Sequence, residues 1–202
     1  EIYEMQVRAI FEAVADVLRD GISVKPEIMI PLDSVKFELT LLKGLIEKVA
    51  KQVGSANRID FDYLIGAMIE LPRAAIKAGE IDEKVELFSF GTNDLTQTTF
   101  GLSGEELGNF LEVYHRKEIL FKDPIASIDQ DAVRELMRFG ADRGRDARPY
   151  LKIGICNEHG ADPESINFYH ETGLDYISCS PHRVPIARLA AAQAAIQQSK
   201  SF

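Results

Sequence analysis

The stretch YLIGAMIELPR, residues 63–73, changes character at a single position. Seven largely apolar residues run from Tyr63 to Ile69, a carboxylate follows at Glu70, and Pro72 then stands where the first turn of a helix tolerates it. A short apolar run closed by polar and turn-forming residues reads as a buried strand. If that strand-then-helix unit repeats, the fold is decided. Toward the N-terminus, PEIMIPL (26–32) is a second such strand, followed by helical spacing over 34–53 (Val35, Leu39, Leu42, Ile46, Val49, Val53) that stops at Gly54. Before it, residues 1–20 carry apolar positions at Val7, Ile10, Phe11, Val14, Val17 and Leu18, the period of an amphipathic helix. Gly21 suits the position just past its end.

Toward the C-terminus the alternation continues. KVELFSF (84–90) is a strand, followed by a polar excursion with a helix over 130–146. YLKIGIC (150–156) is the next strand, and Asp162-Pro163 opens a helix through about Thr172. GLDYISC (173–179) is the last strand, and VPIARLAAAQAAI (184–196) the last helix. A leading helix and five strand–helix units predict an α/β chain with a parallel sheet covered by helices. A (β/α)8 barrel needs eight strands, so the pattern matches the C-terminal part of such a barrel. Residues 1–202 read as part of one domain, with no linker between units.

Composition narrows the class. A net charge of −9 argues against a nucleic-acid surface. No apolar run reaches the roughly 20 residues a bilayer-spanning helix needs. The amphipathic N-terminal stretch is not a signal peptide. Two separated cysteines, Cys156 and Cys179, fit a reduced compartment, cytoplasmic or organellar.

In parallel sheets of this kind the reactive groups gather at the C-terminal strand ends. Those ends carry Glu70, then Gly91-Thr92-Asn93-Asp94, then Cys156, then residues 178–180. Glu70 alone reads equally as an ion-pair or capping glutamate, with Arg73 as partner. Asp94 alone reads as a member of a turn. Together they place two carboxylates at one mouth, the usual protein contribution to a Mg2+ site. Gly91 lets backbone approach a ligand, and the N–H groups after it can meet an anion. Cys156 sits in GICNEHG (154–160), three residues before His159. A nucleophile–base pair, a zinc ligand and an inert core thiol are all open readings. Its place level with Glu70 and Asp94 favours a fourth, a proton carrier facing a metal-bound substrate. Cys179 reads as a plain core residue.

GAMIELPRAA (66–75), LFSFGTNDLTQTTFG (87–101), GICNEHGADPESINFY (154–169) and GLDYISCSPHRVPIARLAAAQ (173–193) together resemble the C-terminal part of the pyruvate, phosphate dikinase family. The likeness runs from EIYEMQ at the N-terminus to the final helix. Phosphoenolpyruvate (PEP) synthase and enzyme I of the sugar phosphotransferase system share the barrel, but the ending SCSPHRVPIARLAAAQ is similar to the dikinases. The resemblance implies a PEP/pyruvate-binding barrel within a longer enzyme. That enzyme interconverts ATP, phosphate and pyruvate with AMP, diphosphate and PEP. It implies Glu70 and Asp94 as Mg2+ ligands, and Glu70, Gly91, Thr92, Asn93 and Asp94 along the substrate site. Cys156 is then the acid/base at the substrate's C3, with Glu158 and His159 orienting its loop. The implied partners are the phosphohistidine domain of the parent chain and a second copy of this domain in a homodimer. No histidine here is the phosphocarrier. A thiol of ordinary pKa, about 8.5, serves in both directions if its surroundings lower it modestly.

Asn157 and Ala161 stand where the family commonly has glycine, which bears on the placement of Cys156. The barrel's first strands, its phosphate-holding arginines and the nucleotide and phosphohistidine domains are not in these 202 residues. A fragment without dikinase turnover of its own is therefore expected. An inactive scaffold or dimerisation module is the alternative reading.

Overall fold

A computed structural model describes residues 1–156 and 158–200. Helix α1 (Ile2–Arg19) leads into strand β1 (Glu27–Ile30), helix α2 (Lys36–Asn57) and strand β2 (Leu64–Ile69). Two short helices, α3 (Pro72–Ile76) and α4 (Ala78–Asp82), precede strand β3 (Leu87–Gly91). Helices α5 (Thr92–Phe100), α6 (Gly104–Arg116) and α7 (Ala132–Ala147) then lead to strand β4 (Lys152–Cys156). Helix α8 (Pro163–Glu171), strand β5 (Tyr176–Ser178) and helix α9 (Val184–Lys200) complete the chain. Every predicted strand is present, each shorter than its apolar run. Pro26 and Pro31 lie outside β1, as residues without a ladder N–H should.

The five strands are all parallel and lie in sequence order, β1-β2-β3-β4-β5. Doubly wound folds reverse that order at a switch point; this sheet does not. The order is compatible with part of a (β/α) barrel, and the sheet is open at β1 and β5. The ion pair Lys152–Glu27, 2.5 Å from Nζ to Oε1, joins β4 to β1. In a flat sheet those strands would stand about 14 Å apart with side chains upright, out of each other's reach. The pair therefore marks a concave face.

The convex face carries the helices. Phe88 and Phe90 of β3 are fully buried and lie against Gly140 and Gly144 of α7. A Cβ on Gly144 would stand 2.8 Å from the Phe88 ring, so only glycine lets α7 come this near the sheet. Phe11 of α1 stacks with Phe61 and Tyr63 at ring separations of 5.1 and 5.0 Å, which fixes the leading helix over the entry to β2.

Two sequence expectations need correction. Gly54 does not end α2, which runs on to Asn57 and closes with Arg58 in the left-handed conformation, φ 55°. Gly54 is instead where the chain turns back: its carbonyl accepts the Ile59 N–H at 3.1 Å. The polar excursion after β3 is also largely helical. α5 begins directly at Thr92, and α6 opens with a capping box between Ser103 and Glu106, a signal present in the sequence but not used.

Candidate active site

The sheet register brings the predicted residues to one rim. Ile69 pairs with Phe90, Gly91 with Cys156, and Cys156 with Ser178, so Glu70, Gly91 and Cys156 follow one another across three strand ends. Glu70 is 4% exposed. Its Oε1 accepts the Leu32 N–H at 2.6 Å, from the loop after β1. The other oxygen lies against Gly91, where any Cβ would overlap it and stand 2.7 Å from the Glu70 Cβ. Gly91 is thus the slot that admits the carboxylate. Arg73 does not provide the counter-charge considered from sequence; its guanidinium donates to the Ser34 carbonyl. Burial raises the Glu70 pKa, the Leu32 N–H pulls it back, and the charge of Asp94 raises it further.

Thr92, Asn93 and Asp94 form the first turn of α5 and not a plain turn. Gly91 caps that helix without a side-chain bond, so its first N–H groups face the rim. Thr92 is fully buried, Asn93 half-buried and Asp94 exposed at the mouth. Among buried side-chain atoms, Asn93 Oδ1 and both oxygens of Asp33 have no hydrogen-bond partner.

Cys156 is half-buried, with its thiol 4.0 Å from the Phe90 carbonyl. Burial pushes this thiol up, Ser89 pulls it back, and the charges of Glu70 and Asp94 push it further up. The condition set from sequence, surroundings that lower the thiol modestly, is not met in the metal-free site: burial and two neighbouring carboxylates raise it. The Ser89 hydroxyl, on β3, also lies near Tyr176 of β5 and pulls back the pKa that burial raises there. The Tyr176 ring folds flat over Gly154, its hydroxyl-bearing carbon nearest, and Lys152 Nζ lies 4.9 Å from the ring centroid. Ser89 and Tyr176 thus line the approach to Cys156 from the concave face. Their positions at alternating sites of β3 and β5 were legible only once the register was known.

His159 is fully buried and not a base for the thiol. Nδ1 meets the Thr92 hydroxyl and Nε2 the Pro124 carbonyl, each at 2.8 Å. Because a carbonyl only accepts, Nε2 carries a proton, and in the neutral imidazole the Thr92 hydroxyl donates to Nδ1. The imidazole ties the turn after β4 to α5 and to the loop before α7, the orienting role expected of it. Asn157 and the side chains of Glu158 and Ala161 lie outside the described residues. Cys179 packs half-buried against the core, as predicted.

Among the described residues no three His, Cys, Asp or Glu side chains converge closely enough to hold a metal by themselves. Two carboxylates, one buried beside a glycine slot and one exposed at a helix start, fit the sparse, all-oxygen set with which Mg2+ is held.

An open-mouthed α/β domain with acidic and thiol groups on its strand ends is thus defined, and its family follows. Residues 1–196 match the family described as PEP-utilising enzyme, PEP-binding domain, and the chain belongs to it. It is 56% identical over 197 residues to the pyruvate, phosphate dikinase of Rhizobium meliloti (strain 1021), covering 97% of this chain and 22% of that protein. It is 53% identical over 196 residues to the chloroplastic pyruvate, phosphate dikinase 1 of Arabidopsis thaliana, covering 97% and 20%. The figures for the Clostridium symbiosum enzyme are 53% over 197 residues, 97% and 22%. The chain spans about a fifth of the length of these relatives. No helix among the described residues is long and apolar enough to cross a membrane.

Proposed function

We propose that this domain is the part of a pyruvate, phosphate dikinase that binds Mg2+ with pyruvate or PEP and moves the proton at C3. The parent reaction interconverts ATP, phosphate and pyruvate with AMP, diphosphate and PEP. The observation that carries this reading is the meeting of Glu70, Gly91 and Cys156 on adjacent strand ends.

Glu70 and Asp94 would hold the cation, which supplies Lewis-acid stabilisation of an enolate oxygen. The first turn of α5, with Thr92 and Asn93, presents its N–H groups to the substrate's anionic oxygens. Cys156 then gives its proton to C3 of the enolate: the S–H bond breaks, the C–H bond forms, and a thiolate remains. Ser89 and Tyr176 offer that thiolate hydroxyl protons from the concave face. In the opposite direction the thiolate takes a C3 proton from pyruvate. Neutralising Glu70 and Asp94 removes two of the influences that raise the thiol, so the loaded site eases that direction. The phosphohistidine domain of the parent chain would deliver or receive the phosphoryl group at this mouth. Self-association is a separate property of the same piece, favoured by large exposed side chains such as Phe121 (85%) and Tyr150 (97%).

The test is a thermal melt with Mg2+ and oxalate, a planar mimic of the pyruvate enolate, on the wild type and Asp94→Ala. A ligand held only by the folded state raises the melting point by mass action. A rise confined to the wild type supports the reading, and no rise in either overturns the metal half of it. Loss of deuterium exchange at the pyruvate methyl in Cys156→Ala, with the melt shift kept, assigns the proton step to the thiol.

A further inference from the structure

Among the described residues, Asp33 is a buried carboxylate without a partner. It is 1% exposed, and neither carboxylate oxygen has a hydrogen-bond partner. Burying a carboxylate unpaired is costly, and such groups in folded proteins call for an explanation. Its surroundings supply only more negative charge: Glu38 and Glu70 are the charged groups that act on it. Local structure does not account for it either. Asp33 lies two residues before Val35, the N-cap of α2, and makes no capping bond.

The loop that carries it is held from two sides. Leu32 gives its N–H to Glu70 Oε1 at 2.6 Å, and the Ser34 carbonyl accepts from Arg73. Leu32 sits at φ 54° to make this contact, a conformation that a leucine adopts only under constraint. The β1–β2 pairing ends with Ile30 beside Ala67, three residues before Asp33 and Glu70 respectively, and the Glu70 charge acts on Asp33. Asp33 is thus an acceptor without a donor, fixed beside a carboxylate assigned to the cation.

Mg2+ sheds water reluctantly and keeps several molecules when only one or two carboxylates bind it. Those waters are strong hydrogen-bond donors in need of acceptors. Among the described residues three acidic side chains do not converge closely enough to ligate one ion directly, so a role for Asp33 runs through the ion's water. We propose that Asp33 is a positioning residue that accepts hydrogen bonds from water carried by the cation on Glu70 and Asp94. Through them it fixes the ion against the β1–β2 side of the rim. This rests on the assignment of Glu70 and Asp94 above.

The test is a Mn2+ titration of the metal-free protein, read by loss of the free-ion paramagnetic resonance signal, on the wild type, Asp33→Asn and Asp94→Ala. Outer partners of metal ligands contribute on the order of tenfold or more in affinity, so Asp33→Asn should bind roughly tenfold more weakly. The metal-free Asp33→Asn protein should also melt at or above the wild type at neutral pH, since a buried unpaired carboxylate has been removed. Unchanged Mn2+ affinity in Asp33→Asn overturns the inference while leaving the site intact. A lower metal-free melting point overturns it too, because the carboxylate is then a structural group. Absence of Mn2+ binding in the wild type sinks this inference and the underlying site together.

Discussion

A methyl group on Gly91 would occupy the space of the Glu70 carboxylate, 2.7 Å from its Cβ. Gly91→Ala should therefore displace Glu70 and weaken Mg2+ binding at least tenfold, an effect of the size that outer-shell changes have on metal sites, measured by the same titration. Retained affinity would mean that Glu70 does not need the slot. Asp33 predicts a pH effect in the metal-free protein. Its pKa is raised from 3.8 to about 7, chiefly by burial and then by Glu38 and Glu70. An acid raised on folding contributes stability below its unfolded pKa that is lost as pH rises through the folded value. The melting point in EDTA should thus fall between pH 4.5 and 7 and fall less in Asp33→Asn. Surface acids lowered by Lys77, Lys36 and Ser103 have the opposite sign but act below 4.5. At this scale the sequence was informative where a polar residue interrupts an apolar run, as at Glu70 and Cys156. Asp33 follows an apolar run too, but an aspartate before Ser34 looks like loop chemistry, and only its burial marks it out.

Among the elements, the loop between β1 and α2 holds one of the non-glycine residues in left-handed backbone. Leu32 adopts φ 54° with a side chain 56% exposed, so the conformation serves its N–H and not its packing. Left-handed backbone costs a non-glycine residue roughly 1–2 kcal/mol, and glycine loses roughly 0.5–1 kcal/mol in chain entropy. Leu32→Gly should gain up to about 1.5 kcal/mol in urea unfolding with Mg2+ binding unchanged; a loss of stability would assign the side chain a packing role. Strands were legible because parallel strands buried on both faces read as continuous apolar runs. Their ends were overestimated because an apolar run continues into residues that pack without pairing, as at Val85 and Leu151. Helix α5 was missed because Gly-Thr-Asn-Asp carries turn chemistry, and the same residues also start helices.

For the whole molecule, the order of the strands matters more than any contact between them. β3 lies at the centre of the sheet and is buried along its entire length, whereas β5 is an edge strand of three residues with none fully buried. Opening free energies follow burial and paired backbone. Amide hydrogen exchange should therefore be slowest in β3 and fastest in β5 among the five strands; equal protection in both would indicate one cooperative unit. The winding was readable from sequence, since each strand is followed by helix. The curl was not, because Lys152 and Glu27 lie 125 residues apart and nothing local pairs them. That placement has a temporal consequence. Gly91, the slot for Glu70, ends the strand that opens last, while Tyr176, the far hydroxyl behind Cys156, belongs to the strand that opens first. On a slow clock the domain would lose the proposed relay behind its thiol long before the proposed ion site.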